Sequence, residues 1–280
     1  MTIRMVTDSS ASLPDGWSER FGVEVVDLHL VEEDGEVVGT SAVGPEEMAE
    51  VYESLLAESD CTGVVSAHLS AKLSRTWESA ADAATRFAGR VLVVDSRGAG
   101  MALGAAVAQS AWAAGRGLGL SATYELANRL TRTATTLVAV CSLDSLRRGG
   151  RIGAAVALFG GALSMRPVLE LRNGQLALAA KTRTTGKAHQ KVRSLLRDEV
   201  SRGDVLVAVH HSGDDVRARD AAADMVEHIR RETPYPERVV SAEFHPVLGW
   251  HLGTDTVAVT VSDLDDPEFP IPGRRPQAAV

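Results

Sequence analysis

The chain has 280 residues, 45% hydrophobic and 24% charged, which is the composition of a globular protein with one large or two modest domains and weighs against disorder. A formal charge of −8 leaves no dominant basic face, so no nucleic-acid partner is expected. Cys61 and Cys141 stand apart from each other and from any histidine pair; no metal, cofactor or disulfide framework is expected, and the predicted compartment is the reducing cytoplasm.

The opening stretch MTIRMVTDSS is too short and too polar for a signal peptide. It predicts a strand over 3–7 that runs into Thr7, Asp8, Ser9, Ser10 and Ser12, ahead of a helix over 15–21. Further strands are predicted at 23–31, 63–68, 90–95 and 137–141, and helices at 45–58, 71–88, 99–115 and 121–134. Apolar strands alternating with amphipathic helices imply a parallel sheet covered on both faces, with ligands at the carboxyl ends of its strands.

The second half reads differently. Helical segments near 143–149 and 153–164 come first, the latter too short to span a bilayer. Asn173-Gly174 inside 166–183 then predicts a hairpin with a type I′ turn. A helix (186–202), a strand (204–210), a helix (214–232) and strands at 237–244 and 256–262 complete a mixed sheet. Residues 263–280 hold Pro267, Pro270, Pro272 and Pro276 and read as an extended tail.

Several catalytic signatures are missing. There is no G-x-S-x-G elbow for a serine hydrolase, and Gly186-Lys187 lacks the upstream glycine of a phosphate loop. GAGMALG (98–104) has one residue too many for a dinucleotide fingerprint, so its glycines read as close-packing positions. His210-His211 has no carboxylate at helical spacing; one ring is expected to point into the sheet and the other out. Helix capping accounts for Ser12 and partly for Ser70, but it uses one hydroxyl per helix. The surplus makes Thr40, Ser41, Ser74 and Thr76 candidates for a shared polar pocket.

Four stretches resemble one known family, the DegV proteins, which include the fatty-acid-binding subunits of bacterial fatty acid kinases. VTDSSASLP (6–14) resembles the family's strand-ending D-S-[ST] signature, and LSAKLSRTWESA (69–80) its L-S-S-x-L-S-G-T-Y-x-S-A segment. Residues 142–184 are similar to its run of helix, G-G-R-I, long apolar helix, [KR]-P-[IV]-L and K-x-R, and EFHPVLGWHLGT (243–254) to its closing G-P-V-x-x-x-H-x-G. The similarity spans about residues 3 to 262. Arg75 and Trp77 replace the family's glycine and tyrosine, T-S-Q-P survives only as Thr40-Ser41 before Ala42-Val43, and the segment before it lacks a helix the family usually carries.

The resemblance implies a two-domain α/β fold: an N-terminal α/β/α domain with a parallel sheet over 1–158, a C-terminal α/β domain with a mixed sheet over 159–264, and a tail over 265–280. It implies a binding protein of phospholipid metabolism that holds a long-chain fatty acid between its domains. A separate ATP-dependent kinase subunit then phosphorylates the carboxylate. Carried over by position, Ser41 with Thr40 and Ser74 would hydrogen-bond the carboxylate, Thr76 would join them, and Arg183 and His251 would add charge or orientation. Asp8 and Ser9 would form the floor of the head-group site; His251 also has a second reading, as a polar cap on the last strand. Residues 154–165 would line the acyl tunnel or serve as ordinary core. Arg147, Arg148 and Arg151 would face the kinase or an anionic membrane surface, or simply form a solvated basic helix end. The altered mouth residues favour a shorter or more polar acid. The contrasting reading is a stand-alone hydrolase or phosphoryltransferase acting through Ser9 or Ser74, against which the missing motifs weigh.

Overall fold

The computed structural model describes residues 2–152, 165–213 and 215–271. Four apolar strands, β1 (Thr2–Asp8), β2 (Val23–Val26), β5 (Cys61–His68) and β6 (Val91–Asp95), form a parallel sheet in the order β2-β1-β5-β6. Between them β3 (His29–Glu33) and β4 (Glu36–Ser41) form a separate hairpin. A second, mixed sheet has the order β11-β10-β12-β7-β8-β9. Its strands are β7 (Thr135–Ala139), β8 (Arg166–Arg172), β9 (Gln175–Thr182), β10 (Val205–His211), β11 (Val239–Glu243) and β12 (Val257–Asp263). All its pairings are antiparallel except β10 with β11.

Nine described helices pack around these sheets. They are α1 (Trp17–Phe21), α2 (Pro45–Ala57), α3 (Thr76–Ala84), α4 (Met101–Gly115), α5 (Leu120–Thr133), α6 (Asp144–Arg148), α7 (Thr185–Ser201), α8 (Val216–Glu232) and α9 (Pro246–Leu252). Helices α2 and α3 cover one face of the parallel sheet, α4 and α5 the other, and α7 and α8 the far face of the mixed sheet. Helices α4 and α5 also contact β12, so the molecule is layered helix, sheet, helix, sheet, helix. The central position explains α4, whose residues from Met101 to Ala111 are all buried and which is apolar around its whole circumference. A side chain at Gly104 would lie 2.6 Å from the Ala11 carbonyl, so the glycines of GAGMALG do serve close packing.

Three elements differ from the sequence reading. The strand expected at 137–141 in the parallel sheet instead pairs antiparallel with β12 and β8 in the mixed sheet. An apolar run buried on both faces reads the same in either sheet, and only its partners settle which. The single strand expected over 23–31 is two, and the β3–β4 hairpin was missed because its residues are mostly exposed and lack alternation. Its Asp34-Gly35 turn, with φ of 51° and 80°, nonetheless carries the same type I′ signal that correctly located Asn173-Gly174, at 50° and 82°. Helix α9 occupies the stretch between the last two strands, where no element was predicted; Pro246 opens it and the His245 ring accepts the Val247 N–H.

The start of the tail packs rather than extends freely: Phe269 stacks on Phe21 at 5.0 Å and meets Trp17 edge-on at 6.0 Å. Pro272 and Pro276, the 158/159 domain boundary and nearly all of the apolar stretch 154–165 lie outside the described residues. No described helix is long and apolar enough to cross a membrane, and no metal-binding group of His, Cys, Asp or Glu occurs among the described residues.

Candidate ligand-binding cavity

The hydroxyl-rich end of β1 is a structural knot. Asp8 Oδ1 accepts the Ser10 N–H at 3.1 Å and the Ser10 hydroxyl, while Oδ2 accepts the Leu69 N–H and His68 Nδ1–H, both at 3.0 Å. His68 Nε2 then accepts from Ser66, whose hydroxyl in turn accepts from Tyr52, and all four side chains are buried. Burial pushes the Tyr52 phenol above its usual range. With each carboxylate oxygen already engaged, Asp8 fastens the ends of β1 and β5 together. Ser9 accepts the Leu28 N–H at 3.0 Å and meets His245 Nδ1 at 3.3 Å; Ser12 accepts the His245 N–H at 3.2 Å. These hydroxyls seam the parallel sheet to the β11–α9 connection. Asp8 and Ser9 do not line the cavity described next, so the expectation that they form its floor is not met.

A cavity of about 240 Å³ lies between the two sheets, beside the start of α4. Its walls are mainly apolar: Leu28 and Leu69 on one side, Val138, Leu171 and Leu176 from the mixed sheet, and Leu248 from α9. The largest polar group in the lining draws on several elements. Thr40 and Ser41 reach it from the end of β4, Ser74 from the loop before α3, His251 from α9, and Arg151 from the segment after α6. Thr40 Oγ1 and His251 Nε2 are 3.0 Å apart, and Ser74 Oγ lies 2.9 Å from Thr76 Oγ1 and accepts the Thr76 N–H at 3.3 Å. Of the candidate pocket residues, Thr40, Ser41, Ser74 and His251 therefore come together at this cavity, joined by Arg151, which the sequence reading had placed on an outer surface. Thr76 supports Ser74 from beneath, fully buried, and does not line the cavity.

The electrostatics favour an anion. His251 is held neutral near pH 7, its pKa pushed down to about 4 by burial and then by the Arg151 charge. When Nε2–H donates to Thr40, the Thr40 hydroxyl proton is free to donate onward. Gly149 makes this close packing feasible, because a Cβ there would fall 2.2 Å from His251 Nδ1. Arg151 donates from Nε to the Leu73 carbonyl (3.1 Å) and from Nη1 to that of Gly149 (2.5 Å). No carboxylate pairs with it among the described residues. A fixed, half-buried guanidinium with no anionic partner at the rim of an oily cavity is built to meet a carboxylate.

Sequence comparison matches residues 2–263 to the family model for uncharacterised proteins of the DegV family. The chain belongs to the DegV family. A DegV domain-containing protein of Streptomyces coelicolor is 35% identical over 280 residues, covering 93% of this chain and 98% of that one. Among solved structures, a DegV family protein of Corynebacterium glutamicum is similar with 32% identity and a TM-score of 0.86, covering 95% of this chain and 99% of that one. A DegV family protein of Thermus thermophilus, whose structure is reported for fatty acid binding, is similar with 31% identity and a TM-score of 0.84, covering 94% and 100%. Of the positions at which this chain departs from the motifs quoted above, two lie at the cavity, whereas Trp77 does not line it and Val43 packs in the core of the parallel-sheet half. The two are Arg75 and Ala42, and Arg75 extends into solvent to pair with Glu78 at 3.3 Å.

The remaining candidates divide. Arg183 is exposed between β9 and α7 and is not among the cavity's lining residues. Arg147 and Arg148 are exposed, the latter over the Trp250 ring at 5.5 Å, as expected of a surface basic patch. Arg151, grouped with them in the sequence, turns inward instead. Its signal was available in hindsight: Gly149-Gly150 breaks the helix, so the next arginine need not share its neighbours' face. The sequence reading did not place Thr136, Thr260 or His210 at the cavity; of the His210-His211 pair it expected one ring to turn inward, and His210 is the buried one, accepting the Met101 N–H on Nε2 at 3.1 Å, while His211 is half-buried.

Proposed function

We propose that this DegV protein binds a long-chain fatty acid in the cavity between its sheets, as a binding protein rather than an enzyme, and presents the carboxylate to a separate ATP-dependent kinase. The observation that carries the reading is the meeting of Thr40, Ser41, Ser74, His251 and Arg151, which has no carboxylate partner among the described residues, in a cavity whose remaining lining is mainly apolar. Burial of each methylene contributes roughly 0.8 kcal/mol, so a sixteen-carbon chain supplies about 11 kcal/mol before entropy losses. Affinity then resides in the tail, while the hydroxyls and Arg151 offset the desolvation of the head group. The fatty acid binding reported for the Thermus thermophilus relative supports the same assignment. Ser41 is exposed, so a carboxylate held there stays within reach of a partner's active site, and the exposed Arg147 and Arg148 on α6 are offered as contacts for the kinase or for an anionic membrane surface.

Calorimetric titration of the delipidated full-length chain with hexadecanoic acid tests the binding. One molecule per chain is expected, with affinity reduced at least about tenfold in a Thr40→Val/Ser74→Ala variant, which removes two charge-assisted hydrogen bonds. Heat of binding that is absent, or unchanged by the two substitutions, contradicts the assignment. The kinase step is tested separately: acyl phosphate forms only when a fatty acid kinase catalytic subunit and ATP are added to the loaded protein.

A further inference from the structure

The cavity-facing side of the mixed sheet is not uniformly apolar. Side chains on one face of paired strands lie in rows, and register places Ala208, Thr260 and Thr136 in one row and His210, Ala258 and Val138 in the next. Thr136, Thr260 and His210 all line the cavity. The two threonine hydroxyls are 2.9 Å apart and buried. One donates to the other, which leaves one hydroxyl proton and spare lone pairs with no further partner among the described residues. His210 adds a donor nearby. Its Nε2 accepts the Met101 N–H, which places the ring proton on Nδ1, and that atom has no hydrogen-bond partner among the described residues. The Ala242 carbonyl favours this proton without reaching hydrogen-bond geometry. The ring is held flat on Phe244, 4.8 Å away, and burial keeps it neutral, its pKa pushed down to about 3.

These groups stand on different elements from the head-group cluster. Thr136 lies on β7 and Thr260 on β12, three residues beyond its start at Val257, whereas the cluster comes from β4, the loop before α3, α9 and the segment after α6. An all-methylene chain lying there leaves the threonine pair's spare proton unsatisfied in a dry site, which is costly. A keto oxygen takes the proton but returns none. A hydroxyl does both, accepting from one threonine and donating to the other's lone pair.

We propose that the preferred ligand is a hydroxy fatty acid, its hydroxyl borne part-way along the chain and bound by Thr136 and Thr260. This inference rests on the fatty-acid reading of the same cavity and names its substrate class. It also accords with Arg75 and Ala42 at the mouth, where the family's motif residues are replaced.

The test is calorimetric titration of the delipidated full-length protein with octadecanoic acid and with a positional series of hydroxyoctadecanoic acids. One isomer, or two adjacent ones, is expected to bind about three- to tenfold more tightly than octadecanoic acid, the gain of one or two hydrogen bonds. In a Thr136→Val/Thr260→Val variant the ratio of the two affinities is expected to fall to about one. The inference is overturned if every isomer binds no better than octadecanoic acid, as when a buried water already satisfies the threonines, or if the preference survives the double substitution. Should that variant not fold, the positional series on the unaltered chain decides alone. If octadecanoic acid and every isomer fail to bind, the fatty-acid reading itself has failed and this inference falls with it.

Discussion

Gly149 and His251 show how narrowly the polar end of the cavity is set. An alanine methyl at 149 would overlap the imidazole at 2.2 Å, while the backbone there, with φ of −75°, tolerates any residue. Gly149→Ala is therefore expected to leave the circular dichroism spectrum unchanged yet displace the ring from Thr40 and weaken hexadecanoic acid binding about tenfold. His251 also sets a pH dependence. In the unfolded chain it protonates near the ordinary histidine value of about 6.5, whereas the folded protein holds it near 4. Its contribution to stability is thus fully present above pH 6.5 and is lost as pH falls toward 4, by about 3 kcal/mol. In a His251→Asn variant the fall in urea midpoint between pH 6.5 and 4 should be correspondingly shallower; an identical profile would show that the imidazole is not buried as described. At this scale the sequence revealed that hydroxyls were in surplus but not their division of labour. Ser9, Ser10 and Ser12 seal a seam, whereas Thr40, Ser41 and Ser74 face the cavity, because what lies opposite each hydroxyl is decided by strands distant in the chain.

Among the elements, the β8–β9 hairpin has the clearest local code and a role beyond its own strands. Its Asn173-Gly174 turn is docked on the loop after β5 by a 2.8 Å hydrogen bond from the Ser70 hydroxyl to the Gly174 carbonyl, and that loop continues to Ser74. Gly174→Ala meets both a left-handed φ of 82° and a contact of 2.4 Å with Ser70 Oγ. It is expected to cost about 1–2 kcal/mol and to loosen the Ser74 loop, read as a lower thermal midpoint together with weaker ligand binding. Turn dipeptides and long amphipathic helices such as α7 and α8 were legible because their causes lie within a few residues. Sheet membership was not: β7 is a short, mostly buried strand of a kind found in both sheets, and only pairing with β12 and β8 assigns it to the mixed sheet. Helix α9 was hidden by its brevity, with Pro246 as its one strong local signal.

For the whole molecule, the two sheets share a central layer in which α4 and the cavity lie side by side, so a ligand there touches both. A ligand bound only by the folded state stabilises it by about 2.7 kcal/mol when present at a hundred times its dissociation constant. Delipidated protein is accordingly expected to melt about 5 °C or more below protein resupplied with excess fatty acid, and an unchanged midpoint would place the ligand outside the intersheet space. The layered α/β architecture was readable from the alternation of strands and helices and from four motifs in order. The cavity was not, because it is a property of how the layers meet. The most direct measurement is native mass spectrometry of the full chain as purified from cells, followed by identification of any extracted molecule. A single carboxylic acid of a few hundred daltons per chain is predicted, lost on delipidation and regained on mixing with fatty acid; a chain of bare mass that takes up none when it is offered would contradict the account.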